Sequence, residues 1–265
     1  MKSIIRTLCL LVVFTLPLTS CDKDDDPTPD NVSNSSSAES SKESQSTVTA
    51  SDLVDLGLSV KWASCNVGAK KPEEYGQYFA WGETRSKEVY DWSTYKYCKG
   101  SDTTLTKYVT GYTYSIGEVT YVSSPYGAND FYDNKTVLTP DEDAARTALG
   151  GKYRTPTLAE WEELFKNCDF LWTQINGVNG CKVTSKKRGY TDKSIFFPAA
   201  GGYDTYGLYG QGFVAAYWSS TMNQGSGTTS QFATASSFSG SGRSFGGLGY
   251  RCHGYPVRPV WRSSE

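Results

Sequence analysis

The chain has 265 residues, with 26 Lys and Arg against 28 Asp and Glu and a formal net charge of −2. That balance creates no field to draw the protein onto nucleic acid or an anionic membrane. With a single histidine, His253, any Ser-His-Asp, Cys-His or His-rich zinc chemistry would have to rest on that one residue.

Residues 1–20 place Lys2 and Arg6 ahead of an apolar run from Leu8 to Leu18, too short to span a bilayer but suited to the core of a signal peptide. The run ends in Leu18-Thr19-Ser20-Cys21. This resembles the bacterial lipobox, which implies acylation of Cys21 and cleavage before it. Several acyl chains on one cysteine anchor a protein stably where one chain does not. The following Asp22-Lys23-Asp24-Asp25-Asp26 resembles the surface-export signal of Bacteroidota lipoproteins, so the expected location is the outer membrane, facing the cell exterior. Residues 27–50 are polar, Ser-rich and free of aromatics; they cannot bury enough surface to fold and read as a flexible tether spanning 21–51.

One domain is expected over 52–262, long enough for its own core. Leu53 to Leu58 and Val60 to Ala63 read as two strands joined by a turn at Gly57, and Tyr75 to Glu83 as an aromatic strand. Residues 84–138 show no helical period and read as loops and short strands. Thr139 is expected to cap a helix with Pro140 at its first position, acids 141–143 at its positive end, and Gly150-Gly151 at its close. A second helix starts at Thr157 with a capping box to Glu160; Leu158, Trp161, Leu164 and Phe165 share one face, which predicts core packing. Strands follow at 181–184, 194–198, 216–219 and 255–261, within a loop-rich second half. The order defines an α+β domain.

Several motifs occur in series: Asp55-Leu56-Gly57-Leu58-Ser59-Val60-Lys61-Trp62-Ala63, Tyr78-Phe79-Ala80-Trp81-Gly82-Glu83, Tyr153-Arg154-Thr155-Pro156-Thr157, Glu160-Trp161, Tyr217-Trp218-Ser219-Ser220 and Val257-Arg258-Pro259-Val260. Together they resemble the Fibrobacter succinogenes major paralogous domain of Bacteroidota surface lipoproteins. Such domains are similar to the C-type-lectin-like fold shared with the formylglycine-generating enzyme and retroelement-diversified variable proteins. The resemblance implies terminal strands paired side by side, two helices, and an irregular lobe carrying the binding surface. It does not supply an activity, which must be argued from a site.

Three functional classes are compared. Gly249-Tyr250-Arg251-Cys252 resembles the closing Gly-Phe-Arg-Cys stretch of formylglycine-generating enzymes, but residues 182–251 contain no cysteine to complete that family's paired spacing for copper. A formylglycine-generating-enzyme-like oxidoreductase is therefore the alternative, not the leading reading. A calcium lectin needs clustered carboxylates, and residues 205–264 contain neither Asp nor Glu.

A non-catalytic binding surface needs what the same stretch has. Residues 201–254 hold 13 of the 26 glycines, and 222–255 add abundant Ser with Phe232, Phe238, Phe245, Tyr250 and Tyr255. Small residues permit close approach, and aromatics give contact area. Loops over 222–255 are expected to form the ligand face, with Arg243, Phe245, Tyr250, Arg251, His253 and Tyr255 as contacts. The ligand would be a protein or glycan, with no cofactor, as in an adhesin or a glycan-binding accessory protein of a polysaccharide-utilisation system. The composition also overlaps what retroelement diversification of adenine-rich codons produces, and Cys252, read as exposed, suits such a random draw.

Apart from Cys9 and Cys21, the cysteines are Cys65, Cys98, Cys168, Cys181 and Cys252, an odd number. Disulfides in an exported protein and buried free thiols both remain open.

Overall fold

The structure, a computed structural model, describes residues 53–223 and 230–262. The signal, Cys21, the acidic run and the tether expected over 1–51 lie outside the described residues. Among the described residues no helix is long and apolar enough to cross a membrane.

Short antiparallel strands dominate, with few helices. At one end, β1 (Leu53–Val54), β2 (Lys61–Ala63), β16 (Val260–Trp261) and β6 (Tyr153–Arg154) form a four-stranded sheet in the order β1-β2-β16-β6. The first and last parts of the domain thus lie side by side, with Val260 opposite Trp62. A two-stranded ladder joins β3 (Tyr78–Phe79) to β15 (Tyr255–Pro256). The expected long strands at 75–83 and 255–261 are therefore short: each pairs for two residues before the chain turns away.

The first helix departs from expectation. Pro140–Glu142 forms a 3-10 turn, and α1 covers only Ala144–Leu149. Asp143, not Thr139, is its cap: its carboxylate accepts from the backbone N–H groups of Ala145 and Arg146 and from the N–H and hydroxyl of Thr155. Holding both the helix end and the 155 backbone requires extended dihedrals at Asp143, which breaks the helix in two. α2 (Leu158–Asn167) carries the expected capping box. It buries Trp161, Leu164 and Phe165, whereas Leu158 is half-buried.

Beyond α2 the chain is more regular than its composition suggested. A three-stranded sheet joins β7 (Cys168–Ile175), β8 (Val178–Ser185) and β9 (Ser194–Pro198). Its first turn is Asn176-Gly177, with φ of 49° and 82°, the left-handed pair that two-residue hairpins favour. A second sheet joins β12 (Val214–Met222), β13 (Phe232–Ser239) and β14 (Gly242–Tyr250) in that order. The Ser- and Gly-rich stretch read as loops is thus mostly two long strands. Small residues let these strands pass over aromatic rings: a Cβ at Gly249 would sit 2.8 Å from both Trp218 and Tyr255. Two hairpins complete the fold, β4 (Tyr112–Ile116) with β5 (Val119–Ser123), and β10 (Gly202–Asp204) with β11 (Gly207–Tyr209).

Aromatic residues build the interior. One core gathers Trp62, Trp161, Phe197, Tyr217 and Phe238; a second, Trp81, Tyr108, Trp218 and Tyr255; a third, Tyr90, Tyr95, Tyr97, Leu105 and Cys252. Two arginines, Arg251 and Arg258, lie fully inside with no accessible surface.

Candidate functional site: an aromatic cleft beside Arg243

The six residues expected to form one ligand face do not come together. Arg243 and Tyr250 stand at opposite ends of β14, seven residues and so about 23 Å apart at strand rise. Near Tyr250 the chain turns inward. Arg251 is wholly buried: its guanidinium donates to the carbonyls of Lys107, Tyr108 and Ser230 and to the hydroxyl of Tyr95. Tyr255 is also internal, its ring 4.4 Å from that of Trp218 and its hydroxyl 2.9 Å from that of Tyr209. Both are corrected from ligand contacts to core members, because the bend after β14 carries them beneath the surface. Tyr250, stacked on Phe232 at 4.6 Å, and the half-buried His253 remain accessible there. Burial lowers the His253 pKa from the ordinary histidine value, favouring the neutral imidazole.

At the other end lies a concave site. A cleft of about 400 Å³ opens between the β7–β8 hairpin and the β13–β14 turn, lined by Phe170, Trp172, Cys181, Phe238 and residues 239–243. That volume falls in the range of small-molecule sites. Strand alternation aims Phe170 and Trp172 to the same side of β7 while Asp169 and Leu171 point away. Val183 and Cys181 stand opposite them on β8. Across the gap Arg243 pairs with Phe238, so its side chain shares the inward face of β13. Its guanidinium carbon lies 4.4 Å from the Phe170 ring centroid. Among the described residues, no carboxylate forms an ion pair with Arg243, which remains exposed.

The rim of the cleft is a short turn. Ser239 and Ser241 hydroxyls lie 3.0 Å apart, and Ser239 also donates to the Gly242 carbonyl. Gly240 meets the Trp172 ring in ordinary contact, a Cβ there lying 3.5 Å from it, and a Cβ on Gly242 would enter open space. Phe245 stands outside the cleft, 43% exposed and 5.3 Å from Phe165. Among the described residues, Arg243 is the one charged residue lining the site. Phe170 and Trp172 escaped the sequence reading because β7 was not recognised, although Asn176-Gly177 marked a hairpin turn and so a strand before it.

A different aromatic surface also went unseen. On the β4–β5 hairpin Tyr114 stacks on Tyr121 at 5.4 Å and adjoins Tyr112 at 5.8 Å. Ile116, Val119 and Val122 are exposed on the same hairpin. The signal was the Tyr-Thr-Tyr-Ser alternation before Gly117.

The five described cysteines, Cys65, Cys98, Cys168, Cys181 and Cys252, are free thiols. Cys252 is 2% exposed, not on the surface as read, which removes its support for a randomly drawn position. Burial pushes its thiol up to about 12 and those of Cys168 and Cys181 up to about 11. Cys98 packs against the core that contains Cys252, and its pKa is raised too, again chiefly by burial. Thiols held protonated are poor nucleophiles and poor metal ligands. Among the described residues, no group of three or more His, Cys, Asp or Glu side chains is placed to hold a metal.

No family model matches the chain, and neither a curated protein nor a solved structure does.

Proposed function

We propose that this chain is a lipid-anchored, surface-displayed binding protein of the Fibrobacter succinogenes major paralogous kind. Its C-type-lectin-like domain would hold a ligand, protein or glycan, in the cleft beside Arg243, without catalysis and without a cofactor. The observation that carries the reading is that cleft: an aromatic floor, a hydroxyl-bearing rim and one exposed guanidinium without an acidic partner among the described residues. Concave apolar walls with a few convergent polar groups are the usual make-up of ligand sites. The adjacent β2 and β16 and the two helices accord with the fold the motifs imply. The oxidoreductase alternative needs reactive paired thiols, and the raised pKa values of Cys252 and Cys98 weigh against it.

Gly240→Trp is expected to fill the cleft without straining the backbone, because a Cβ there would stand in ordinary contact, 3.5 Å, with the Trp172 ring of the cleft wall. On a glycan array and a panel of purified surface proteins, it should lose binding by at least about tenfold, roughly 1.4 kcal/mol. Its melting temperature should stay near that of the wild type. Tyr250→Ala, at the far end of β14, should bind normally. Normal binding by Gly240→Trp with loss in Tyr250→Ala would move the site to the Tyr250 end.

The anchor has its own test. Cys21→Ala should abolish fatty-acid labelling and release the protein from the membrane fraction, and neutralising Asp24, Asp25 and Asp26 should reduce protease accessibility on intact cells. Unchanged labelling and fractionation of Cys21→Ala would overturn the lipoprotein reading.

A further inference from the structure

The geometry points to a ligand class for this cleft: an anionic saccharide, a sugar unit carrying a carboxylate or sulfate that the Arg243 guanidinium receives while the sugar ring lies against Trp172. The inference rests on the cleft being the binding site and adds what it selects.

Charge is the first argument. Among the described residues, Arg243 is the only ionisable side chain lining the cleft that carries charge at neutral pH, since the other ionisable group, the Cys181 thiol, is pushed up to about 11 by burial. The nearest carboxylate along β7, Asp169, is turned to the other face of the hairpin. An exposed arginine with no acidic partner keeps its donors for an incoming anion, and its planar fork matches carboxylate and sulfate oxygens in pairs. Cation–π contact with Phe170 at 4.4 Å positions the group before any ligand arrives. A restrained side chain loses less entropy on binding than a free one.

Shape and polarity supply the second. A pyranose has an apolar face of C–H groups and a rim of hydroxyls. The cleft has the complement: the flat Trp172 ring beside the Arg243–Phe170 pair, and at its edge the Ser239 and Ser241 hydroxyls with the backbone of Gly240 and Gly242. An acidic peptide would satisfy Arg243 but would leave the ring-and-hydroxyl pairing without use.

The test measures binding of the full chain, in detergent micelles, to oligosaccharides of equal length made from polygalacturonate, sulfated dextran and neutral dextran, with polyglutamate as a peptide control. The wild type should prefer one or both anionic saccharides, and the preferred arm identifies the anion. Arg243→Gln should lose at least about tenfold in affinity for it, the low end expected for a charge-assisted hydrogen bond, and Arg243→Lys should recover part of the loss. Added salt should weaken wild-type binding far more than Arg243→Gln binding, which a purely structural role for Arg243 would not produce. Equal binding of neutral dextran, blocked by Gly240→Trp, would overturn the anionic preference and leave the cleft as the site. Anionic binding that survives Gly240→Trp would overturn both. Polyglutamate binding as tight as the acidic saccharides would overturn the saccharide assignment, and so would the absence of binding to all three saccharides.

Discussion

Replacing Arg258 by Met is expected to destabilise the domain by about 3–5 kcal/mol, because it leaves several buried oxygen acceptors without donors. Arg258 is fully buried, with its guanidinium carbon 4.7 Å from the Phe197 ring centroid. Its donors reach the carbonyls of Ala63, Ser64 and Phe196 and the side-chain oxygen of Asn66. The side chain therefore ties the segment after β2 to β9, regions far apart in sequence. Methionine fills much of the volume but leaves three carbonyls and an amide oxygen without donors inside the protein. Each such orphan costs about 1–3 kcal/mol. Relief from holding a desolvated charge offsets part of that sum, which keeps the net change well below it. Chemical denaturation of the full chain measures the effect. A shift of less than about 1 kcal/mol would mean that the freed acceptors find water or that the site relaxes. Arg251→Met, which frees the carbonyls of Lys107, Tyr108 and Ser230, should behave in the same way. It should leave the Arg243 cleft intact, in contrast to the contact role first expected for it.

Trp161→Ala should cost about 3–5 kcal/mol, the range for truncating a large buried aromatic. Trp161 has no exposed surface and touches four rings: Trp62 at 4.8 Å, Phe197 at 5.6 Å, Phe238 at 6.0 Å and Tyr217 at 6.1 Å between centroids. It is where α2 meets the four-stranded sheet and both three-stranded sheets, so the cavity cannot close without moving several elements. Its indole N–H also donates to the Trp218 carbonyl. Trp62, Trp81 and Trp218 are equally buried, and their alanine variants should fall in the same range. Phenylalanine should separate them. The indole N–H of Trp62 has no hydrogen-bond partner among the described residues, whereas those of Trp81 and Trp218 donate to the carbonyls of Ser219 and Phe79. Trp62→Phe should therefore be the mildest of the three. Thermal unfolding of the four alanine and three phenylalanine variants checks this. An unchanged melting temperature in any alanine variant would show that tryptophan to be dispensable to the core.

Local chemistry was legible along the chain. The capping box at Thr157 and Glu160 and the apolar stripe of α2 are both present, because they depend on residues three or four apart and on helical period alone. The four motif tryptophans are core members, since such large apolar side chains have few stable positions outside a core. The break at Asp143 was not legible: it depends on Thr155, twelve residues away, whose N–H and hydroxyl compete for the same carboxylate. Nor were β13 and β14, whose Ser, Gly and Ala content mimics a loop. Those residues are strand-forming there because wide rings lie beneath them and a third strand satisfies their backbone. The site followed the same division. Arg243 was picked out by its charge in an uncharged stretch, while Arg251, eight residues on, has the same side chain and the opposite fate. What separates them is their place at either end of β14: Arg243 opens the strand, with its guanidinium over Phe170 in the cleft, and the turn after the strand carries Arg251 among buried carbonyls. Exposure is a property of the packed chain. A side chain's chemistry states what it can bind, and long-range packing sets whether the partner is a ligand or the protein's own backbone.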